Sequence, residues 1–325
     1  MPPHMAFQDT LKRFKPAYTF YNWLHRDQLS HVKAAYAKYG IDKAAYAPVD
    51  SRAFAGLQGE TPWLDAEDSA TLLPQDPRFQ SLDAETQAAL LPWSSQGYAI
   101  LRGFFSPDQV AGVRAEVDRL IREGDAKWRY ASRVMFALHQ SRLIWQLASE
   151  APLMPVLELL MGKPMRAFQS INFLEPSQQA THSDAIHMTT FPLGYLLAAW
   201  VALEPTDDQN GPLHYFPGSH RLPYVLNGDY AHGGNRLLLG DDANGAYEKR
   251  IAALMEEHKL QKQIFHAQPG DVLIWHANLL HGGEPRLDPN RTRHSMVLHY
   301  FADEVVAYHE QSQRPALFVE PKFDQ

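Results

Sequence analysis

Two short stretches decide the fold: THSD, residues Thr181–Asp184, and GDVLIWHANLLHGG, residues Gly270–Gly283. In an extended strand, side chains two residues apart point to the same face. This spacing predicts that His182 and Asp184 point into one cavity while the serine between them is turned away. If His281 from the second stretch joins them, two imidazoles and one carboxylate would lie on one side of a metal ion.

A His-x-Asp pair arises often by chance, so the second stretch decides the interpretation. Asp271–Trp275 is a short apolar segment after a Pro-Gly turn, as expected of a strand. His281 precedes two glycines, where the backbone could pass close to a ligand. Arg293 then opens an alternating segment, His294–Phe301. Two histidines and a carboxylate that leave coordination positions open are diagnostic of non-haem Fe(II) oxygenases.

The chain resembles the phytanoyl-CoA dioxygenase family of Fe(II)- and 2-oxoglutarate-dependent oxygenases. The resemblance extends roughly over residues Gly97–Phe301 and includes an NGP…PGSH stretch, residues Asn210–His220. It implies that Fe(II) is held by His182, Asp184 and His281. It also implies that Arg293 binds the co-substrate 2-oxoglutarate and that Trp200 lines the co-substrate pocket.

The chain departs from the family pattern at Gly283, where the family often has a serine two residues after the distal histidine. Ser295 is the candidate replacement, because it lies two residues after Arg293 and a strand would present both to the same face. Gln169 lies on a predicted strand beside the metal. The resemblance makes it a co-substrate contact, and ordinary strand hydrogen bonding is the alternative.

Composition excludes several classes of protein. The 325 residues carry a net charge of -7 and no cysteine, with 45% hydrophobic and 21% charged residues. This composition predicts a folded domain with a large core and excludes disulfides, zinc-thiolate sites and thiol nucleophiles. Without clustered Lys and Arg, we expect no nucleic-acid partner. No run approaches a membrane span and the start lacks an apolar leader, so we expect no membrane partner and a cytoplasmic enzyme.

The pattern of elements predicts a mainly β fold with a helical layer, that is, a double-stranded β-helix (jelly-roll, cupin-like) core. Residues 1–95 are expected to form a helical and irregular N-terminal extension that packs on the core. Residues 96–310 form the dioxygenase domain, with an insertion at about 221–263 that either covers the active site or is a solvated surface helix. Residues 311–325 are expected to be a C-terminal tail.

The reaction implied by the resemblance is hydroxylation of an unactivated C–H bond in a small molecule. It consumes O2 and 2-oxoglutarate and releases succinate and CO2. Two alternatives stay open: a cupin-like metal-dependent isomerase or hydrolase, and a non-catalytic ligand-binding jelly roll. An isomerase or hydrolase would not need a cation on the last strand, so Arg293 weighs against the first alternative, and the intact triad weighs against the second. The substrate and the oligomeric state are not fixed by the sequence.

Overall fold

A seven-stranded antiparallel sheet with both faces covered forms the centre of the molecule. The computed structural model describes residues 14–129, 132–230, 234–235, 237–240 and 243–323. Residues 1–13 of the predicted extension and 324–325 of the predicted tail lie outside these ranges. The described strands are β1 (Tyr98–Leu101), β2 (Lys127–Arg129), β3 (Arg133–Met135), β4 (Met165–Phe173), β5 (Thr189–Phe191), β6 (Leu196–Ala202), β7 (Leu213–Tyr215), β8 (Gln263–Phe265), β9 (Val272–His276), β10 (His281–Gly283), β11 (Ser295–Ala302), β12 (Val306–His309) and β13 (Arg314–Pro315).

The strand order of the large sheet is β1-β9-β6-β11-β4-β3-β2, and two three-stranded sheets, β10-β7-β8 and β13-β12-β5, accompany it. An apolar core lies between the large sheet and the β10-β7-β8 sheet, and it includes Trp200, Leu213, Phe265 and Trp275. Two antiparallel sheets with a core between them form the predicted jelly roll, and the helices supply the predicted outer layer.

Alternation along the central strands explains why both faces of the large sheet are apolar. Every residue of β6 is buried. Leu197, Ala199 and Val201 belong to the core on the helical side, whereas Ala198 and Trp200 belong to the core between the sheets. A strand covered on both faces has no polar side, so the unbroken apolar run in the sequence correctly predicts a buried strand.

The described helices are mostly short, and all except α11 precede strand β4 in the chain. They are α1 (Lys15–Leu24), α2 (Ser30–Lys38), α3 (Trp63–Ala66), α4 (Ser69–Leu72), α5 (Pro77–Gln80), α6 (Ala84–Leu90), α7 (Trp93–Gln96), α8 (Pro107–Glu123), α9 (Arg142–Ser149), α10 (Leu153–Met161) and α11 (Ala243–Glu257). Helix α8 begins with a capping box in which the Ser106 hydroxyl accepts from the Gln109 N–H and the Gln109 side chain accepts from the Ser106 N–H. Both orphan donors are thereby satisfied, and the helix begins where the sequence predicts.

Helices α9 and α10 contain the stretch of the described residues that is long and apolar enough to cross a membrane, Arg142–Met161. The helical conformation is interrupted between the two helices at Pro152, which precedes α10. Pro155 lies in the first turn of α10, where its missing N–H has no helical partner to lose. Half of this stretch is buried inside the protein. Its apolar residues, including Leu147, Leu157 and Leu160, belong to the core under the large sheet.

The described part of the N-terminal segment packs on the domain through helix α2 and the turn before it. Leu29 and Val32 join the aromatic side chains of Phe191 and Tyr308 on β5 and β12. The predicted tail also differs from a simple appendage, because Arg314 pairs with His309 as strand β13. The pairing gives this segment a fixed position in a sheet.

Candidate metal and co-substrate site

His182, Asp184 and His281 are brought together as a buried group. One possible ligand atom from each lies within 4.8 Å of the others. The Asp184 Oδ1 atom is 3.8 Å from Nε2 of His182 and 3.7 Å from Nε2 of His281. Two imidazole nitrogens and one carboxylate oxygen at this separation could hold a divalent metal ion from one side.

The backbone that presents these residues is not the continuous strand that the spacing predicts. His182 and His281 form an isolated antiparallel bridge, in which each N–H donates to the other's carbonyl oxygen at 2.9 Å. Asp184 begins a single 3-10 turn, Asp184–Ile186. Its carboxylate therefore reaches the histidines by the bend of the turn. Ser183 is turned away, as predicted, and its N–H and hydroxyl contact the Tyr247 hydroxyl at 2.9 and 3.3 Å.

The same local hydrogen bond sets the tautomer of both histidines. Nδ1 of His182 lies 2.9 Å from the Ala180 carbonyl oxygen, and Nδ1 of His281 lies 3.0 Å from that of Leu279. A carbonyl only accepts, so each Nδ1 carries the proton and each Nε2 keeps its lone pair. Burial, with the neighbouring imidazoles of His281 and His187, holds the pKa of His182 well below its usual value. The ring is neutral, as a metal ligand must be.

The second oxygen of Asp184 is held by residues that sequence reasoning did not assign to the site. Oδ2 accepts a hydrogen bond from Nε1 of Trp275 at 2.7 Å and lies 3.7 Å from Nε2 of His299. Burial by itself raises the pKa of Asp184, but the imidazoles of His281 and His299 outweigh it and hold this pKa well below its ordinary value. Because Oδ2 is hydrogen-bonded to Trp275, Oδ1 is the oxygen that faces the two histidines. The signal for Trp275 in the sequence was its position at the end of an inward-facing strand.

Arg293 is a fully buried cation in the wall of the same cavity. Its side chain is 1% exposed, and Nε and Nη1 have no hydrogen-bond partner among the described residues. Its guanidinium lies 5.6 Å from the ring centroids of both Phe173 and Trp200. Burial, with a smaller contribution from the charge of Arg133, lowers the pKa of Arg293 to about 9, so it is protonated at neutral pH. A buried guanidinium with donors to spare fits the distal carboxylate of 2-oxoglutarate.

The other predicted co-substrate residues lie near Arg293 with different exposure to the cavity. Trp200 and Gln169 line it together with Arg293. Within the described ranges, the buried indole N–H of Trp200 has no hydrogen-bond partner. Ser295 is on the inner side of β11 and fully buried, and its hydroxyl also lacks a partner, but it does not line the cavity.

The two glycines after His281 make room for protein side chains. A Cβ on Gly282 would lie 2.7 Å from the ring of His214, and one on Gly283 would lie 2.9 Å from the Ser177 hydroxyl. Ser177 lines the cavity, so a serine hydroxyl is present close to where position 283 lacks one. His214 is held by Thr181 at 2.8 Å and Glu284 at 2.7 Å, which keeps it out of the ligand group.

The cavity has a volume of about 580 Å³. Besides the residues above, sequence reasoning missed Gln179, whose side-chain nitrogen lies 3.1 Å from Nε2 of His182. Because Nδ1 of His182 carries the proton, the amide donates to the lone pair that a metal would use. Gln179 sits in a loop with no periodic pattern, so nothing in the sequence marked it.

Comparisons with known proteins agree with this geometry. The family Phytanoyl-CoA dioxygenase (PhyH) matches residues 93–295. Ectoine dioxygenase of Halomonas elongata is 24% identical over 277 residues, which cover 79% of this chain and 81% of the relative. Peroxisomal phytanoyl-CoA dioxygenase of Rattus norvegicus is 24% identical over 240 residues, covering 64% of this chain and 66% of the relative.

Solved structures show the same fold. The apo crystal structure of EctD from S. alaskensis aligns with a TM-score of 0.51 at 24% identity, covering 68% of this chain and 77% of that one. The 2-oxoglutarate-dependent carbocyclase SnoK of nogalamycin biosynthesis aligns with a TM-score of 0.56 at 18% identity, covering 75% and 96%. The family match spans more than half of the sequence and contains the triad and Arg293. The chain therefore belongs to the phytanoyl-CoA dioxygenase family of Fe(II)- and 2-oxoglutarate-dependent oxygenases.

Proposed function

We propose that the protein hydroxylates an unactivated C–H bond of a small molecule, with conversion of 2-oxoglutarate and O2 to succinate and CO2. The observation that carries this proposal is the buried Arg293 in the same cavity as the triad. A buried cation with unpaired donors is costly, so the unpaired Nε and Nη1 of Arg293 among the described residues favour an anionic ligand that completes it. A metal-dependent isomerase or hydrolase would need no such cation.

Each residue has a distinct part in the proposed site. His182 and His281 would offer Nε2, and Asp184 would offer Oδ1, because their other polar atoms are already hydrogen-bonded. Bound Fe(II) and 2-oxoglutarate would together supply the activation of O2 that C–H oxidation requires. Arg293 would hold the distal carboxylate, and the rings of Trp200 and Phe173 would exclude water around it.

Hydroxylation is the reaction that the donor set favours. Asp184 would occupy the coordination position that related halogenases leave open for a halide by lacking this carboxylate. A related crystal structure, EctD from S. alaskensis, contains 2-oxoglutarate together with a hydroxylated compound, 5-hydroxyectoine. The cytoplasmic location, the absence of nucleic-acid and membrane partners, and the roles of Ser295 and Gln169 stay predictions.

The test is a screen for succinate. The iron-loaded protein is incubated with 2-oxoglutarate, air and a metabolite panel, and succinate and the mass of each metabolite are measured. We expect at least one metabolite to stimulate succinate formation and to gain one oxygen atom. The matched control is His281→Ala, which removes one proposed ligand. Conversion of a metabolite without any consumption of 2-oxoglutarate would overturn the proposal.

A further inference from the structure

The cavity wall is basic although the protein is acidic. The chain has a net charge of -7, yet the described residues that line the cavity include Arg129, Arg133 and Arg314 in addition to Arg293. The carboxylates among the described lining residues are Asp184, which belongs to the triad, and Glu248. The cavity therefore keeps an excess of positive charge after a 2-oxoglutarate carboxylate is assigned to Arg293.

Three of these arginines separate into two groups by their contacts with aromatic rings. Arg133 lies over the Phe173 ring at 5.1 Å, and Arg293 lies over the same ring at 5.6 Å. Arg133 thus belongs with Arg293. Arg314 lies over the ring of Tyr18 on helix α1, 3.3 Å from its centroid. The Arg314 guanidinium is held by an aromatic face at another part of the wall.

Two histidines, His309 and His187, connect Arg314 to the metal ligand His182 through successive contacts. His309 pairs with Arg314 across β12 and β13, and its Nδ1 lies 3.2 Å from the carbonyl oxygen of His187. The His187 ring is 5.5 Å from the ring of His182, centroid to centroid. His187, His309 and Arg314 all line the cavity. A molecule that touched Arg314 and His309 would therefore extend toward the triad.

The neighbouring charges that shift the pKa of His309 are positive. Burial, then the charge of Arg314, lowers the pKa of His309 to about 4, and Arg129 contributes in the same direction. The Nε atom of Arg314 is buried and has no hydrogen-bond partner among the residues that the structure describes. Glu310 is next to His309 in the chain, but it is fully buried and accepts hydrogen bonds from Ser51 and Asn227. Its charge is directed into the protein.

We propose that the primary substrate carries an anionic oxygen group, a carboxylate or a phosphate, and that Arg314 binds it, with Arg129 adding positive charge to the same cavity lining. This inference rests on the proposed function, since it names the substrate class of the same site. A guanidinium presents two parallel donors that match the geometry of carboxylate and phosphate. An anion between Arg314 and Arg129 would also screen their mutual repulsion.

The test uses matched pairs of probes. Small carboxylic acids are compared with their primary amides, and phosphate monoesters with their parent alcohols, for binding to the protein loaded with Fe(II) and 2-oxoglutarate without oxygen. Binding is measured by isothermal titration calorimetry. We expect the acids or the phosphates to bind and their neutral partners to bind at least about 30-fold more weakly. Which series binds distinguishes the carboxylate from the phosphate.

Variants assign the preference to residues. In Arg314→Gln and in Arg129→Gln, the ratio of anion to neutral affinity should fall toward one, with partial recovery in Arg314→Lys. The ratio is insensitive to a general loss of folded protein. Arg119→Gln is the matched control, since Arg119 is paired with Glu116 and Glu123 on helix α8 and lies outside the cavity lining.

The outcomes separate the two proposals. Neutral probes that bind as well as the anions, no binding by any anion, or an unchanged ratio in Arg314→Gln would overturn the anionic substrate. Selective anion binding by a protein that never turns over 2-oxoglutarate would instead overturn the proposed function and leave this inference standing.

Discussion

At the scale of single residues, two backbone carbonyls prepare the histidines for a metal. The backbone carbonyl two residues before each histidine, on Ala180 and on Leu279, accepts a hydrogen bond from Nδ1–H. Each Nε2 is thereby fixed as a lone pair before any metal arrives. The tautomers are set by local chain geometry, so they survive changes elsewhere in the cavity.

We expect His182→Ala and His281→Ala to stay folded and to bind little Fe(II). Each substitution removes one of three proposed protein ligands, and three ligands are the whole of the set. Anaerobic iron titration measures the loss. His214→Ala is the matched control, because His214 lies in the same small sheet but is held by Thr181 and Glu284. An unchanged iron stoichiometry in both ligand variants would remove these histidines from the site.

We expect Arg293→Ala to raise the requirement for 2-oxoglutarate and to leave iron binding nearly intact. A buried carboxylate that loses its partner is destabilised by roughly 3–5 kcal/mol, which is a few hundredfold or more in affinity. Arg293→Lys should fall between, because a point charge replaces a fork. Affinity is measured anaerobically from the charge-transfer absorption of the iron complex.

Arg291 supplies the control for that measurement. It is two residues earlier, but its guanidinium pairs with Asp207 at 2.8 Å and it does not line the cavity. Arg291→Ala should therefore bind 2-oxoglutarate like the unchanged protein. If Arg291→Ala weakens binding and Arg293→Ala does not, the assignment of the co-substrate residue is wrong.

The pairing of His182 with Asp184 was predictable from spacing, although the reason was only partly right, whereas His281 was assigned through the family resemblance. A period of two placed His182 and Asp184 together, but the structure achieves it with a bridge and a 3-10 turn. Trp275 and Gln179 were not predictable as triad contacts. Their hydrogen bonds cross between segments that are distant or irregular in the chain, and no local pattern encodes such contacts.

At the scale of elements, the insertion of residues 221–263 meets the loop that contains the metal ligands. Helix α11 presents Tyr247, Ile251 and Leu254 to an apolar cluster that also contains Ile186. Tyr247 and Glu248 line the cavity. These contacts favour an active-site cover over a solvated surface helix, and that role stays a proposal.

We expect Tyr247→Phe to weaken Fe(II) binding by holding the ligand loop less firmly. The Tyr247 hydroxyl is the acceptor for the buried N–H of Ser183, between the two ligands His182 and Asp184. Leaving a buried donor unsatisfied costs about 1–3 kcal/mol. We would measure the iron dissociation constant and the melting temperature of the metal-free protein.

Tyr230→Phe is the control for this change. Tyr230 lies in the same insertion, and its ring centroid is 5.8 Å from that of Tyr247, but its hydroxyl donates to Asn227. It should lose some stability and keep its iron affinity. Equal iron affinity in Tyr247→Phe and the unchanged protein would show that the insertion does not position the ligands.

Elements were predictable where their own sequence encodes them. The capping box of α8 and the apolar run of β6 depend on neighbouring residues, and both begin and end close to the predicted positions. Strand β13 was predicted as tail, because two residues carry no periodicity and the strand exists only through its pairing with β12. The site depends on that strand through Arg314.

At the scale of the whole molecule, a half-buried histidine joins three distant parts of the chain. His31 on helix α2 stacks on Phe301 of β11 with centroids 5.4 Å apart and meets the edge of Phe318 at 6.0 Å. Its Nε2 atom is buried, with no hydrogen-bond partner in the described part of the chain. An imidazole in this position packs well only when it is neutral, so protonation links acidity to the docking of the N-terminal segment.

We expect the stability of the metal-free protein to fall as the pH drops from about 6.5 to about 4, partly through His31. Burial, then the charge of Arg166, lowers the pKa of His31 to about 4 in the folded protein, whereas an unfolded histidine titrates near ~6.5. Between these values the unfolded chain binds the extra proton, so stability decreases with falling pH and this contribution levels off below the folded pKa. Urea unfolding at pH 7.5 and pH 5 should therefore show a smaller difference for His31→Leu than for the unchanged protein. His258→Leu, at an exposed histidine, should keep the full difference. An identical difference in His31→Leu and the unchanged protein would mean that other groups carry the acid sensitivity and that His31 titrates alike in both states.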